Sequence, residues 1–101
     1  MKSKFEICQN EIEKRFMGPY PLDRVILDDI VPSKPGVYIW FQLLNGRNVG
    51  YVGRSKKLLL RLRNWALDVN NASFYFNTVN IKRLNKTEKL WIDKAGDLNK
   101  L

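Results

Sequence analysis

Histidine is absent from this sequence of 101 residues, and cysteine occurs only once, at Cys8. One cysteine cannot form a disulfide within the chain, and without histidine the zinc sites that combine Cys and His are excluded. Histidine is also the commonest general base in enzymes, so a catalyst built on this chain would have to use Tyr, Glu, Asp or Lys. Any bound metal ion would have to be held by carboxylates.

Long apolar runs are also missing. No segment approaches the roughly 20 apolar residues that a membrane-spanning helix needs, and the start of the chain, MKSKFEICQNEIEK, lacks the apolar region of a signal peptide. We therefore expect no membrane partner and no secretion. The expected location is the cytoplasm, or the nucleoid if the protein binds DNA.

Acidic residues are in the minority, since 10 Asp and Glu stand against 18 Lys and Arg and leave a net charge of +8. A positive field of this kind attracts polyanions before any specific contact forms. Nucleic acid is therefore the expected partner, with a charge that serves solubility alone as the alternative.

Proline is confined to one segment, between Pro19 and Pro35, which we expect to run extended around the core. Within it the stretch VILDDIV fits either a short strand or a turn of helix. Apolar residues at helical spacing predict three helices elsewhere. These are residues 4–16, residues 55–69 with Ser55 as N-cap, and residues 86–95 with Asn85 as N-cap and Gly96 as the stop.

Strands are predicted in the middle of the chain. Residues 37–43 and 47–53 are rich in Val, Ile, Tyr, Trp and Phe, and the Asn-Gly pair between them is the strongest short-range signal for a two-residue hairpin turn. In that register Tyr38 faces Gly53 and Tyr51 faces Trp40, so both tyrosines lie on one face of the hairpin. Residues 73–84 are predicted to form a third strand.

The triplets Gly36-Val37-Tyr38 and Tyr51-Val52-Gly53, followed by Arg61 and Glu88, resemble the GIY-YIG endonuclease superfamily. The resemblance extends over residues 32–99 and includes Leu98-Asn99. It implies a small α+β fold in which a three-stranded antiparallel sheet is flanked by helices. The whole chain, 1–101, would be one domain, with an N-terminal helix and extension at 1–31 and a nuclease core at 32–101.

The same resemblance implies a metal-dependent endonuclease that hydrolyses phosphodiester bonds in DNA with Mg²⁺ or Mn²⁺. Tyr38 would be the general base or the group that positions water, and Tyr51 its partner. Arg61 would hold the scissile phosphate, and Glu88 would hold the metal. The other residues implied to contact substrate or brace the site are Arg54, Lys56, Lys57, Arg63 and Asn99.

Structural roles compete with these assignments. Strand tyrosines usually pack in a core, and the stem of Arg61 can lie over apolar neighbours. With Asn85 as N-cap, Glu88 would close a capping box. Trp40 and Trp91 are expected in the core, and the basic run that begins at Arg54 could simply be a solvated face.

Two features depart from the family pattern. Relatives commonly have His or Tyr where this chain has Trp65, and an indole cannot accept a proton. The chain also reaches Asn99 through Lys94-Ala95-Gly96-Asp97 rather than through the usual proline. The first alternative function is therefore a weak or inactive GIY-YIG-like module that binds nucleic acid or recruits a partner. The second is a basic RNA-binding protein whose tyrosines stack on bases. Since we expect no separate DNA-reading domain in these residues, a homodimer or a targeting partner would supply selectivity.

Overall fold

The computed structural model describes residues 1–100. Its helices and strands follow in the order α1 (Lys4–Arg15), β1 (Met17–Pro21), α2 (Arg24–Ile30), β2 (Gly36–Leu44), β3 (Arg47–Ser55), α3 (Leu58–Asp68), β4 (Ser73–Thr78) and α4 (Leu84–Ala95). Short 3-10 helices lie at Ile81–Arg83 and Leu98–Lys100. The architecture is α+β, as the sequence predicts.

The hairpin has the predicted register. Strands β2 and β3 pair with Tyr38 opposite Gly53 and Trp40 opposite Tyr51. Asn45 and Gly46 have φ of 53° and 78°, the two positive values that a type I′ turn requires. The Asn-Gly pair therefore fixes which tyrosines share a face.

The sheet has four antiparallel strands rather than the expected three, in the order β1-β4-β2-β3. The additional strand is β1, which pairs with β4 through Met17 opposite Phe76 and Tyr20 opposite Phe74. Its two prolines are untypical of a strand, so the sequence does not predict it. They are tolerated because β1 is an edge strand, where one side of the backbone needs no partner.

Two predicted helix starts are wrong. Helix α3 begins at Leu58 after Lys57, which caps it without a side-chain bond, while the Ser55 hydroxyl accepts from the Lys57 N–H at 3.0 Å in the preceding turn. Helix α4 begins at Leu84, so Asn85 lies inside the helix and Glu88 closes no capping box. The Gly96 stop is confirmed.

A helix lies within the proline-rich segment, where the stretch VILDDIV forms α2 rather than a strand. The predicted third strand ends at Thr78, and the chain then turns into the 3-10 helix, whose cap Asn80 accepts from the Lys82 N–H at 2.9 Å. No helix within residues 1–100 is long and apolar enough to cross a bilayer.

Each face of the sheet packs against its own pair of helices, because side chains alternate between the two faces along each strand. Helices α1 and α4 cover the face that carries Val37, Ile39, Val52 and Tyr75. Helices α2 and α3 cover the opposite face, whose buried strand residues are Tyr38, Trp40, Phe74 and Phe76. Trp40 and Trp91 lie in the core, as expected.

Candidate active site

Strand β3 is an edge strand, and residues near the C-terminus bond to its outward backbone groups. The Gly50 carbonyl accepts from the Asp97 N–H at 2.9 Å, and the Gly50 N–H donates to Asp97 Oδ2 at 3.3 Å. The Asn99 amide binds both groups of Val52, accepting from its N–H at 2.9 Å and donating to its carbonyl at 2.6 Å. Asn99 therefore braces the strand between Tyr51 and Gly53, and its amide is engaged there.

The start of the chain closes the next outward position. The Asn48 N–H donates to Glu6 Oε2 at 3.1 Å, and the Asn48 carbonyl accepts from the Ser3 hydroxyl. Asp97 also accepts from the N–H groups of Lys4 and Phe5, at 2.9 and 3.1 Å, and so caps the start of α1. Both chain ends are thus bonded to the outer edge of β3 from Asn48 to Val52.

Tyr38 is buried, with 1% of its surface exposed. Its ring passes directly over Gly53, where a Cβ would overlap the phenol oxygen and Cζ of Tyr38. The glycine of the second triplet therefore makes room for the tyrosine of the first. From the other side, Trp65 Nε1 donates to Tyr38 Oη at 2.7 Å.

Burial raises the pKa of Tyr38 to about 12, because a phenolate would lose most of its hydration there. The bond from Trp65 lowers the pKa against this effect, and the positive charge of Arg61 acts in the same direction. Tyr51 and Glu88 raise it further. At neutral pH Tyr38 is therefore a neutral phenol. The groups that shift its pKa are Trp65 and the other three residues predicted to be catalytic.

An aromatic cluster joins this phenol to the surface. The Tyr51 ring stacks on Trp40 with centroids 5.5 Å apart and meets Trp65 at 4.9 Å. Trp40 and Trp65 are 5.3 Å apart. Trp40 Nε1 is buried and has no hydrogen-bond partner within residues 1–100. Trp65 is half-buried, and it is the member of the cluster that reaches a surface cleft beside α3.

This cleft of about 840 Å³ opens between α3 and the segment that leads into α4. Four of the residues predicted to act in the site line it, namely Arg54, Lys56, Lys57 and Arg61. The remaining lining residues are Ser55, Leu60, Asn64, Trp65, Asp68, Ile81, Leu84 and Asn85.

Arg54 connects the two sides of this cleft. Its Nε donates to Asn85 Oδ1 at 2.7 Å and lies 3.4 Å from Glu88 Oε1. Since Asn85 and Glu88 are both on α4, the contact ties the end of β3 to that helix. Glu88 is thereby held near the end of the hairpin, in contact with a guanidinium rather than with its own helix terminus.

Some predicted residues are not in the cleft. Arg63 lies on another side of α3 and pairs with Asp28 of α2. Asn99 bonds to Val52 at the outer edge of β3. Tyr38, Tyr51 and Glu88 are not among the lining residues and lie behind Trp65 and Arg54.

Sequence reasoning missed the apolar and amide residues of the cleft, of which Leu60, Asn64, Ile81 and Asn85 are the clearest. A usable signal exists for those on α3, because positions 57, 60, 61, 64, 65 and 68 form one helical stripe that contains Arg61. The same stripe excludes Arg63. For Ile81 and Asn85 the sequence offers no such signal, because it predicts the start of α4 after Asn85 rather than at Leu84.

The cleft lies in the charged part of the molecule. Residues 54–89 hold nine of the 18 Lys and Arg but only two of the ten Asp and Glu, which gives them +7 of the net +8. The rest of the chain has nearly equal numbers of basic and acidic residues. The positive field therefore comes from the segments that form the two sides of the cleft and the strand between them.

A metal ion would have few ligands here. Within the described residues no group of three or more Cys, Asp or Glu side chains could hold one. Glu88 is the one carboxylate among the groups that shift the pKa of Tyr38, and its side chain is 24% exposed. Asp68 also lines the cleft, but the resemblance assigns the metal to Glu88. One carboxylate fits Mg²⁺, which keeps several waters and takes its other ligands from substrate phosphate.

Comparisons of the chain with protein-family models, curated proteins and solved structures find no match. The resemblance to GIY-YIG endonucleases therefore rests on the sequence motifs.

Proposed function

We propose that this protein is a metal-dependent endonuclease that hydrolyses phosphodiester bonds in DNA through a GIY-YIG-like site. One observation carries the proposal. Trp65 joins the two tyrosines, since its Nε1 donates to Tyr38 Oη at 2.7 Å and its ring meets Tyr51 at 4.9 Å, and it lines the same cleft as Arg61. Glu88 Oε1 lies 3.4 Å from Arg54 Nε, which holds Glu88 at the end of the hairpin. Tyr38, Tyr51, Arg61 and Glu88 are the four residues that the motif resemblance selects. The Asn-Gly turn fixes the register that puts the two tyrosines on one face, and α3 and α4 supply Arg61 and Glu88.

In the proposed reaction a water molecule attacks phosphorus, and the bond from phosphorus to the leaving oxygen breaks. Negative charge grows on the phosphoryl oxygens, and the Arg61 guanidinium in the cleft stabilises it without any proton transfer. A Mg²⁺ ion at Glu88 would stabilise the same charge and supply an activated water. Arg54, Lys56 and Lys57 would bind the flanking phosphates.

The raised pKa of Tyr38 favours one of its two predicted roles. A phenol with a pKa of about 12 is a poor base at neutral pH. Its oxygen already accepts from Trp65, so the phenol proton is left to donate. We therefore assign Tyr38 the positioning of water or of a phosphate oxygen, with Trp65 holding its ring in place.

A second candidate is a GIY-YIG-like module that binds nucleic acid without cutting it. Two observations favour it: Tyr38 is almost completely buried, and Glu88 already pairs with Arg54. Sequence selection in either case would come from a homodimer or a separate targeting partner.

A cleavage assay with DNA and RNA substrates and Mg²⁺ or Mn²⁺ tests the proposal. We expect cleavage of DNA that stops on chelation, and Glu88→Gln should abolish it with folding intact, because Glu88 lies inside α4 and caps nothing. Asp93→Asn is the matched control, since Asp93 is an exposed carboxylate on the same helix.

The outcomes separate the two candidates. Cleavage that is equal in the parent and in Glu88→Gln would refute the metal assignment. Binding of DNA without cleavage under any metal would leave the binding module as the function.

A further inference from the structure

The cleft contains apolar side chains that a binding site for phosphates alone would not need. Leu60 and Ile81 line it, and 52% and 51% of their surfaces are exposed. Phosphates are bound by charge and by hydrogen bonds, which neither side chain provides. Single exposed apolar residues are common on protein surfaces, but these two come from different helices and line one concavity together with the Trp65 indole.

Polar groups accompany this apolar surface. Asn64 lines the cleft one turn beyond Leu60, and Asn85 lines it from α4. Asn85 Oδ1 accepts from Arg54 Nε at 2.7 Å, which orients the amide and leaves its NH₂ group as a donor. An apolar and aromatic wall with a few amides is the usual composition of a small-molecule site, and 840 Å³ lies within the range of such sites, about 300 to 1,000 Å³.

We propose that the cleft binds one unpaired nucleotide, with the base against Leu60, Ile81 and Trp65 and its phosphates on the cationic rim. The occupant should be an anion, since four cationic side chains line the cleft against the one carboxylate of Asp68; the four are Arg54, Lys56, Lys57 and Arg61. A nucleobase supplies the flat apolar face and the polar edge that the remaining residues match.

The inference deepens the proposed function by naming a substrate class. DNA with a nucleotide already unpaired next to the cleavage point, as in a bulge, flap or junction, would bind better than intact duplex. Extruding a paired base costs unstacking and unpairing energy, which an unpaired base does not require. The selectivity would therefore be for DNA structure rather than for sequence.

Binding without divalent metal tests this separately from cleavage. We would measure, by fluorescence anisotropy in EDTA, the affinity for an intact duplex and for the same duplex with one unpaired nucleotide. We expect the parent to prefer the second by about tenfold, within the range found for stacking one base on a protein surface. Leu60→Ala combined with Ile81→Ala should reduce the preference to about twofold or less and leave duplex affinity unchanged.

Leu67→Ala is the matched control. Leu67 lies on α3 with 62% of its surface exposed, but it does not line the cleft. The control should keep the full preference, and thermal melts should show all variants folded. A preference that survives in the double variant, or that Leu67→Ala also removes, would overturn the assignment.

A second measurement needs no variant. With 2-aminopurine as the unpaired base, contact with the cleft wall should quench its fluorescence on binding, and unchanged fluorescence would overturn the inference. Equal affinity for both DNAs would refute this subsite and leave the endonuclease proposal to its cleavage assay. Failure to bind either DNA would refute both.

Discussion

Two stretches of strand β3 differ sharply along the same outer edge. From Asn48 to Val52 the outward backbone groups are bonded to side chains or backbone from both chain ends, with Glu6 and Asp97 supplying carboxylates. From Arg54 onward the chain instead borders the basic cleft. We call these the closed stretch (48–52) and the open stretch (54–57).

The difference shows how a small domain can use one edge strand for two purposes. An unpaired strand edge invites pairing with other chains, and covering it removes that hazard. Carboxylates suit the closed stretch because they accept from backbone N–H groups. Cations suit the open stretch because a ligand can still reach them. The open stretch should therefore determine activity, and the closed stretch should determine stability.

The largest effect is expected at Tyr38, which lies beside the open stretch. Tyr38→Phe keeps the ring over Gly53 but removes the hydroxyl, so the cleavage rate should fall by about 10²- to 10³-fold, the usual range for the loss of a hydrogen-bond donor that acts on the reacting groups. Tyr51→Phe should behave similarly. Rates are measured with excess enzyme on a labelled duplex.

Tyr20→Phe is the control, since Tyr20 packs on the same face against Phe74 and Phe76. Stability should fall by only about 1 kcal/mol in Tyr38→Phe, because the change removes one hydrogen bond, from Trp65 Nε1, and keeps the packing of the ring. Full activity in both the Tyr38 and Tyr51 variants would remove the distinction between the stretches.

Two glycines of β3 test where the closed stretch ends and the open stretch begins. A Cβ at Gly53 would overlap Tyr38, while a Cβ at Gly50 would lie 2.9 Å from Phe5 Cδ1. Both Gly→Ala variants should lose about 1 to 3 kcal/mol in the free energy of unfolding, because each overpacks a dense site. Only Gly53→Ala should also lose cleavage, since it displaces the phenol. Urea denaturation and rates measured well below the unfolding midpoint would show whether Gly50→Ala loses activity too, which we do not expect.

Stability at alkaline pH should show whether water reaches Tyr38, which lies beside the open stretch. Burial raises the pKa of Tyr38 to about 12, whereas an unfolded tyrosine titrates near ~10. Below pH ~10 both states keep the proton and stability is unaffected; as pH rises further the unfolded state loses it first, so the free energy of unfolding falls and levels off above the folded pKa.

The loss from Tyr38 should be about 2 to 3 kcal/mol between these limits, since a tenfold difference in proton affinity corresponds to about 1.4 kcal/mol. Urea denaturation of the parent and of Tyr38→Phe at several pH values isolates it, because other titrating groups, including the buried Tyr75, are common to both. Parallel curves for the two proteins would mean that water reaches Tyr38.

The sequence predicts the hairpin and the meeting of its tyrosines because both follow from local chemistry, namely a turn that needs two positive φ values and a strict alternation of faces. It does not predict β1, since prolines mask a strand whose partner β4 lies more than 50 residues away. The closed stretch is also invisible in the sequence. Its bonds join Asn48 to Glu6 and Gly50 to Asp97, 42 and 47 residues apart, and no local pattern encodes them.

Within the candidate site the errors have two physical causes. Arg63 is assigned to the basic run, but its position on α3 turns it toward Asp28 and away from the cleft. Asn85 is assigned as a cap because Asn favours that position, whereas the 3-10 helix before α4 moves the helix start to Leu84. For Arg63 the helical spacing is a better guide than the residue type, whereas for Asn85 no local signal in the sequence marks the 3-10 helix.

The smallest effect expected is at Asp97, which bonds to Gly50 of the closed stretch. Its carboxylate accepts from the N–H groups of Lys4, Phe5 and Gly50, at 2.9, 3.1 and 3.3 Å, and so joins the start of α1 to β3. Asp97→Ala removes all three hydrogen bonds, and we expect a loss of about 1 to 2 kcal/mol in the free energy of unfolding, as for a lost helix cap. Asp93→Ala, an exposed change on α4, should cost less than about 0.5 kcal/mol.

Because Asp97 does not line the cleft, cleavage and DNA affinity should remain at the parent level below the unfolding transition. Unchanged stability with lost cleavage would reverse the roles of the two stretches, since the closed stretch would then serve the reaction rather than the fold.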